Sequence, residues 1–248
     1  MSITTTLLRH VTPQLFACAI LGTAFPVSAQ YWTSFENNTR YLALGDSISA
    51  GYGAKPVTQG FTYQLYQNGV FETSNSVVFC SLAVPNALSS DVLKYQLPMA
   101  QLCFAPTGAS FPKAVTLSAG GNDAFLVLEQ GVPPAVVFGN LYVNLATIIG
   151  TLRTQFPGVK IYIMNYWDPK LPIPGSRELV VGLNSTIAAA IASFNSPDVV
   201  LVDVFAAFEG RSGLLLIERN GSAPLQIHPT NAGYQVVTAE FEKAIKGK

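Results

Sequence analysis

In Arg40-Tyr41-Leu42-Ala43-Leu44-Gly45-Asp46-Ser47 a short apolar run closes on a glycine and is followed at once by two polar residues. The run does not alternate, as a strand with one wet face would, so it suits a strand buried on both faces. Four later runs share its character: 76–83 (SVVFCSLA), 113–119 (KAVTLSA), 159–165 (VKIYIMN) and 198–205 (DVVLVDVF). Helix-like stretches separate them. Residues 60–69 make a short one, and 89–101 opens with Ser-Ser-Asp as a cap and is interrupted by Pro98. Residues 134–156 are long and apolar and stop at Pro157-Gly158, and 176–194 end before Asn195-Ser196-Pro197. The last stretch, 231–246, has Asn231 as a possible cap and lysines in its final turns, where they oppose the helix dipole. Strands alternating with helices predict an α/β fold, a three-layer α/β/α domain with a mainly parallel sheet. Ligands bind such sheets beyond the carboxyl ends of the strands, which is where Ser47 falls.

The chain has 248 residues, enough for one domain with a sizeable core. Only 11% are charged, the formal net charge is zero, and Lys and Arg are scattered. That excludes the basic stripe a nucleic-acid partner requires, and the apolar content excludes a disordered chain. Residues 1–29 read as a signal peptide: Arg9 and His10 precede an apolar run over 15–25, and Val27-Ser28-Ala29 suits a signal peptidase. The expected mature protein is then 30–248, secreted, monomeric and without a membrane-spanning segment. Cys80 and Cys103 are the only cysteines of that mature chain, which in an oxidising compartment suggests one disulfide, the alternative being two buried thiols. Sequons at Asn37, Asn184 and Asn220 are possible glycan sites in a eukaryotic source.

Three segments at or beyond strand ends could carry chemistry. A serine at the Gly45-Asp46-Ser47 turn would hold its hydroxyl above the sheet, near the backbone N–H groups of a following helix; the plain alternative is an ordinary turn. Gly120-Gly121-Asn122-Asp123 lets the backbone approach a ligand and offers the Asn122 amide as a neutral donor, or is again a turn. His228, the one histidine of the mature chain, stands in a loop before the last helix and is suited to be a general base. No second His or Cys cluster accompanies it and no phosphate-binding loop occurs, so neither metal nor organic cofactor is expected.

Together these blocks resemble the GDSL or SGNH hydrolase superfamily. The first block is matched by 41–47 (YLALGDS), the third by 120–123 (GGND) and the last by 227–234 (IHPTNAGY). The resemblance implies an SGNH-hydrolase-like fold with a five-stranded parallel sheet in the order 2-1-3-4-5, Ser47 as nucleophile and His228 as base. It also implies Ser47 N–H and the Asn122 side chain as oxyanion donors.

Two positions depart from the pattern. Where the second block has a glycine whose N–H completes the oxyanion hole, 81–87 (SLAVPNA) places Asn86, the non-glycine residue that best tolerates positive φ. Where the family usually has an Asp three residues before the His, this chain has Leu225. By the resemblance, the main-chain carbonyl of Leu225 would orient His228; Asp203 or Glu218 is the competing choice. The expected activity is that of a secreted serine esterase or lipase acting on a small-molecule, lipid or glycan ester through an acyl-enzyme, with 165–175 (NYWDPKLPIPG) helping to line the pocket. A carbohydrate acetylesterase of the same fold and a catalytically inactive secreted binding protein are the alternatives.

Overall fold

The five apolar runs become five parallel strands: β1 (Arg40–Gly45), β2 (Val78–Ser81), β3 (Ala114–Ser118), β4 (Lys160–Met164) and β5 (Val199–Val202). They pair in the order β2-β1-β3-β4-β5, as the resemblance implies. The structure, a computed structural model, describes residues 40–71, 78–104, 111–217 and 227–247. The signal peptide, Asn37, Glu218, Asn220 and Leu225 lie outside the described residues.

Every residue of β1 and β3 is buried, which is why neither run alternates in the sequence. Helices cover both faces of the sheet. In chain order they are α1 (Phe61–Gln67), the composite α2 (Ser89–Asp91, Val92–Gln96 and Leu97–Phe104), α3 (Gly121–Gln130), α4 (Pro134–Gln155) and α5 (Ser176–Ala192). The short α6 (Val204–Phe208) and α7 (Ser212–Leu215) precede the last helix, α8 (Asn231–Lys246). Helix α8 packs with α1 and α6, while α4 packs against α2, α3 and α5, and α3 against α5. A disulfide ties Cys80 on β2 to Cys103 in α2.

By length and composition α4 could cross a membrane, with a mean hydropathy of 1.6. Its buried residues Val137, Leu141, Leu145, Ile148, Ile149 and Leu152 recur at helical spacing along one stripe that belongs to the core.

The strand order reverses between β1 and β3, because the chain leaves β1 for β2 and returns on the other side. The crevice at such a switch point opens beyond the strand ends, and Ser47 and Gly120 stand there.

Four local expectations are corrected. Pro98 does not break its helix, because α2 widens into a π-helical turn over Val92–Gln96, with Leu97 N–H donating to Val92 O, and continues past the proline. The run 198–205 is strand only to Val202, since the Asp203 side chain accepts from Ala206 N–H and caps α6. Helix α8 is capped by Thr230 rather than Asn231: the Thr230 hydroxyl accepts from Gly233 N–H. Lastly, 120–123 is not a simple turn, because α3 begins inside it.

Candidate active site

At the end of β1, Gly45 has a φ of +126°, and a Cβ there would collide with the Ser118 carbonyl of β3. Only glycine fits. The closeness lets Asp46 N–H donate to Ser118 O at 3.0 Å. The buried Asp46 carboxylate accepts from Tyr166 OH (2.6 Å), Ser118 Oγ (2.7 Å) and Ile48 N–H (2.9 Å). Burial pushes the Asp46 carboxyl above its ordinary range, against the hydrogen bonds that favour its anion. Beyond it the chain runs through successive tight turns rather than a regular helix, with Ala50, Gly51 and Tyr52 N–H donating to Asp46, Ile48 and Ser47 carbonyls. Ser47 thus sits on a turn held on both sides by buried polar bonds, with its side chain on a cleft.

His228 reaches that cleft from the far end of the chain. Its strand-like segment pairs antiparallel with the residues after α7: Ile217 N–H donates to His228 O at 2.8 Å and Thr230 N–H to Leu215 O at 2.8 Å. Gly233 lets α8 approach, since a Cβ there would strike the Leu215 carbonyl. The buried Tyr234 donates its hydroxyl to Tyr52 O at 2.8 Å, and the Tyr52 ring lies against the His228 ring with centroids 4.6 Å apart. Asn231 closes the frame by exchanging two hydrogen bonds with the Lys55 backbone. The result is a hydrogen bond of 2.9 Å between His228 Nε2 and Ser47 Oγ. For Ser47 to donate in it, Nε2 must be the unprotonated nitrogen.

The third block meets the second here. Gly120, at φ +122°, precedes α3, and a Cβ would crowd Leu183 and Leu141. Asn122, in the first turn of α3, donates from Nδ2 to Ala87 O at 2.9 Å, and that nitrogen carries a second hydrogen. Asp123 beside it accepts from Ser89 N–H (2.9 Å) and Ser89 Oγ. Burial raises the Asp123 carboxyl above its ordinary range. The start of α3 therefore grips the loop after β2 on both sides of Leu88. In that loop Ala87 N–H donates to Val84 O, and Pro85-Asn86 occupies the central positions of the turn, with Asn86 at φ +67°. Proline first and a positive φ second is the type II pattern.

Ser47, Asn122 and His228 share one cleft of about 620 Å³, counting solvent at its mouth. Away from them its walls are apolar. Phe125 and Leu128 face it from α3, Leu179, Val180 and Leu183 from α5, with Trp167 and Leu171 from the segment 165–175. Tyr166 in that segment is clamped by Asn184 of α5, whose amide accepts from Tyr166 N–H and donates to Tyr166 O. The Asn184 sequon nitrogen is thus committed, and a glycan there would displace this pair. Outside the apolar wall, Lys170 and Arg177 each reach Asp168 at 2.8 Å and also pair with Glu209. Burial pushes Asp168 up, but its bonds to Lys170 and Arg177 hold it below the ordinary carboxylate range.

The structure brings together Ser47, Asn122 and His228 and forms the Cys80–Cys103 disulfide. Asn86 stands on an exposed turn and is not among the residues lining the cleft. Asp203 is engaged elsewhere, accepting from Asn165 Nδ2 at 2.8 Å and from Ala206 N–H. Sequence reasoning missed the Tyr166–Asp46 bond and the Ser118 hydroxyl, which sit far from Asp46 in the chain and carry no motif. Among the described residues no cluster of three or more His, Cys, Asp or Glu side chains gathers.

The family model described as the GDSL-like Lipase/Acylhydrolase family matches residues 43–236, which takes in the first block from Ala43 and the other two whole. The chain belongs to this family. A spore germination lipase of Bacillus licheniformis is 24% identical over 221 residues, covering 84% of this chain and 97% of its own. Solved structures of similar fold include an extracellular lipase from Streptomyces rimosus (TM-score 0.62, 21% identity, 83% of this chain and 99% of that one). A phospholipase A1 from Streptomyces albidoflavus follows at TM-score 0.60, 22% identity, 85% and 99% coverage. An acetyl-xylooligosaccharide esterase from a Geobacillus species gives TM-score 0.62, 16% identity, 85% and 96% coverage. As a member of this GDSL family the chain is an ester-hydrolysing enzyme of the lipase/esterase type.

Proposed function

We propose that the chain hydrolyses carboxylic esters of fatty acids through an acyl-enzyme on Ser47. The observation that carries this is the 2.9 Å contact between His228 Nε2 and Ser47 Oγ at the end of an apolar cleft. His228 takes the Ser47 proton as Oγ attacks the ester carbonyl, and returns it to the leaving alcohol. Water, deprotonated by the same imidazole, then attacks the acyl-enzyme; its hydroxyl adds to the acyl carbon, Ser47 Oγ leaves with the proton, and the acid departs. The second Nδ2 hydrogen of Asn122 and the Ser47 N–H are the donors for the oxyanion. By the family resemblance the Leu225 carbonyl would orient the imidazole; Asp203, a competing choice, is engaged with Asn165 and α6.

The apolar walls favour a fatty acyl chain over acetyl. Each methylene that they bury is worth about 0.8 kcal/mol, or about fourfold in kcat/KM when the gain appears in the transition state. A panel of p-nitrophenyl esters tests this, with kcat/KM expected to rise from acetate to octanoate by about tenfold or more. Faster hydrolysis of acetylated xylan than of the octanoate would favour the carbohydrate esterase instead.

The protein is proposed to act outside the cytoplasm after loss of residues 1–29, a reading that the Cys80–Cys103 disulfide supports. The exported chain should begin at Gln30 by N-terminal mass mapping. An intact N-terminus on exported protein would contradict cleavage.

A further inference from the structure

Gln96 belongs to none of the three sequence blocks, yet its buried side chain pairs with both backbone groups of Gly45. Gly45 N–H donates to Gln96 Oε1 at 2.8 Å and Gln96 Nε2 donates to Gly45 O at 2.8 Å. Gly45 N–H needs such a partner, while Gly45 O also accepts from Val84 N–H at 3.0 Å. On the β2 side of β1 the strand register ends where Ala43 faces Ser81, and past it the chain offers Gly45 a donor but no acceptor. On the other side Gly45 faces Ser118, whose carbonyl is taken by Asp46 N–H. A carboxamide presents one donor and one acceptor side by side, as a strand residue does, so Gln96 supplies the acceptor that a longer β2 would have given Gly45 N–H and adds a second donor to Gly45 O.

The helix is distorted where it delivers this group. Gln96 closes the π-helical turn Val92–Gln96 of α2, just before Leu97 and Pro98. π-Turns of this kind concentrate at functional sites. Here the wide turn does two things: it carries the chain past a proline that lacks an N–H, and it aims residue 96 at the sheet.

We infer that Gln96 is a positioning residue for catalysis, holding Gly45 in its left-handed conformation so that Ser47 meets His228 at reacting distance. The inference rests on Ser47 being the nucleophile. It does not follow from fold stability alone, because the two bonds act on the one residue whose backbone sets the direction of the Asp46-Ser47 turn. Misplacing a reacting atom by about 1 Å costs on the order of 100-fold in rate without weakening ground-state binding.

The test compares Gln96→Leu and Gln96→Glu with wild type, each assayed well below its own unfolding temperature. A protonated carboxylic acid can make both Gly45 bonds, whereas a carboxylate has no hydrogen for the Gly45 carbonyl. The ionisable residue next to Gly45 in the chain, Asp46, is bonded to Tyr166, Ser118 and Ile48, and its titration is common to wild type and variants, so it cancels in their ratio. Gln96→Leu should lose about 10- to 100-fold in kcat on p-nitrophenyl octanoate with KM changed less than about threefold, and its fluorophosphonate labelling rate should fall in parallel. Gln96→Glu should approach the wild-type kcat at acid pH and fall below it by about tenfold or more as the pH rises through the pKa of the introduced carboxyl. If Gln96→Leu does not fold, the Gln96→Glu to wild-type ratio across pH decides alone. Folded variants that label and turn over at the wild-type rate at every pH, with only their unfolding temperatures lowered, would overturn the inference. Wild-type protein that never labels on Ser47 would instead overturn the reading beneath it.

Discussion

At the Ser47 end of the cleft the turn is held by polar bonds that leave no freedom: Gly45 has no room for a Cβ, and Asp46 is bonded to Tyr166, Ser118 and Ile48. At the other end Phe125, Leu128 and Val180 face the same space with no polar partner and stand outside the buried core cluster. The first region contains groups that are costly to bury and are compensated bond by bond, as a fixed reaction geometry demands. The second region keeps apolar surface that folding does not need. Such surface is idle unless something apolar covers it, which is why the reading of an acyl chain follows from the contrast between the two ends and not from either alone.

The contrast can be broken most sharply at Ser47. Ser47→Ala should lower kcat/KM by about 10⁴-fold or more while leaving the unfolding temperature close to that of wild type, as measured on p-nitrophenyl octanoate and by thermal melts. Next in size is Gly45→Ala, whose Cβ has no space against backbone that cannot yield; a stability loss of about 2–4 kcal/mol in urea unfolding is expected. At the other end, Val180→Trp fills the cleft between α3 and α5. It should cut kcat/KM on the octanoate by about tenfold and leave the acetate within about threefold. An equal loss on both esters would show that the wall does not contact the acyl chain.

The smallest effect is in pH dependence, where Asp46 in the Ser47 turn and Asp168 outside the apolar wall have opposite signs. Asp168, held low by Lys170 and Arg177, contributes stability that is present above its unfolded pKa and lost as the pH falls through its depressed value. Asp46 and Asp123, raised by burial, bind their protons more tightly when folded, so their contribution declines as the pH rises from the unfolded value through the raised one. Melts between about pH 3 and 7 should show the gap between wild type and Asp168→Asn widening with pH. The gap between wild type and Asp46→Asn should narrow.

Much of this arrangement was readable beforehand. The five apolar runs identify the strands because burial on both faces removes alternation, and Ser47, Asn122 and His228 fall at strand ends where a parallel sheet opens. What escaped was set by tertiary contact. Tyr166 reaches Asp46 from 120 positions away and Gln96 reaches Gly45 from 51, and neither spacing leaves a periodic trace. The start of α3 was hidden because two glycines read as a turn, although only Gly120 has the positive φ of one. Asn231 had the side chain of a cap, but Thr230 is anchored by Leu215 and takes that role while Asn231 fastens Lys55.

The most direct test is fluorophosphonate labelling of the purified, folded protein, followed by peptide mapping. One adduct on the peptide carrying Ser47, formed at a rate that falls by orders of magnitude in His228→Ala, is the expected result. A folded protein that takes no adduct, or takes it on another residue, would contradict the account.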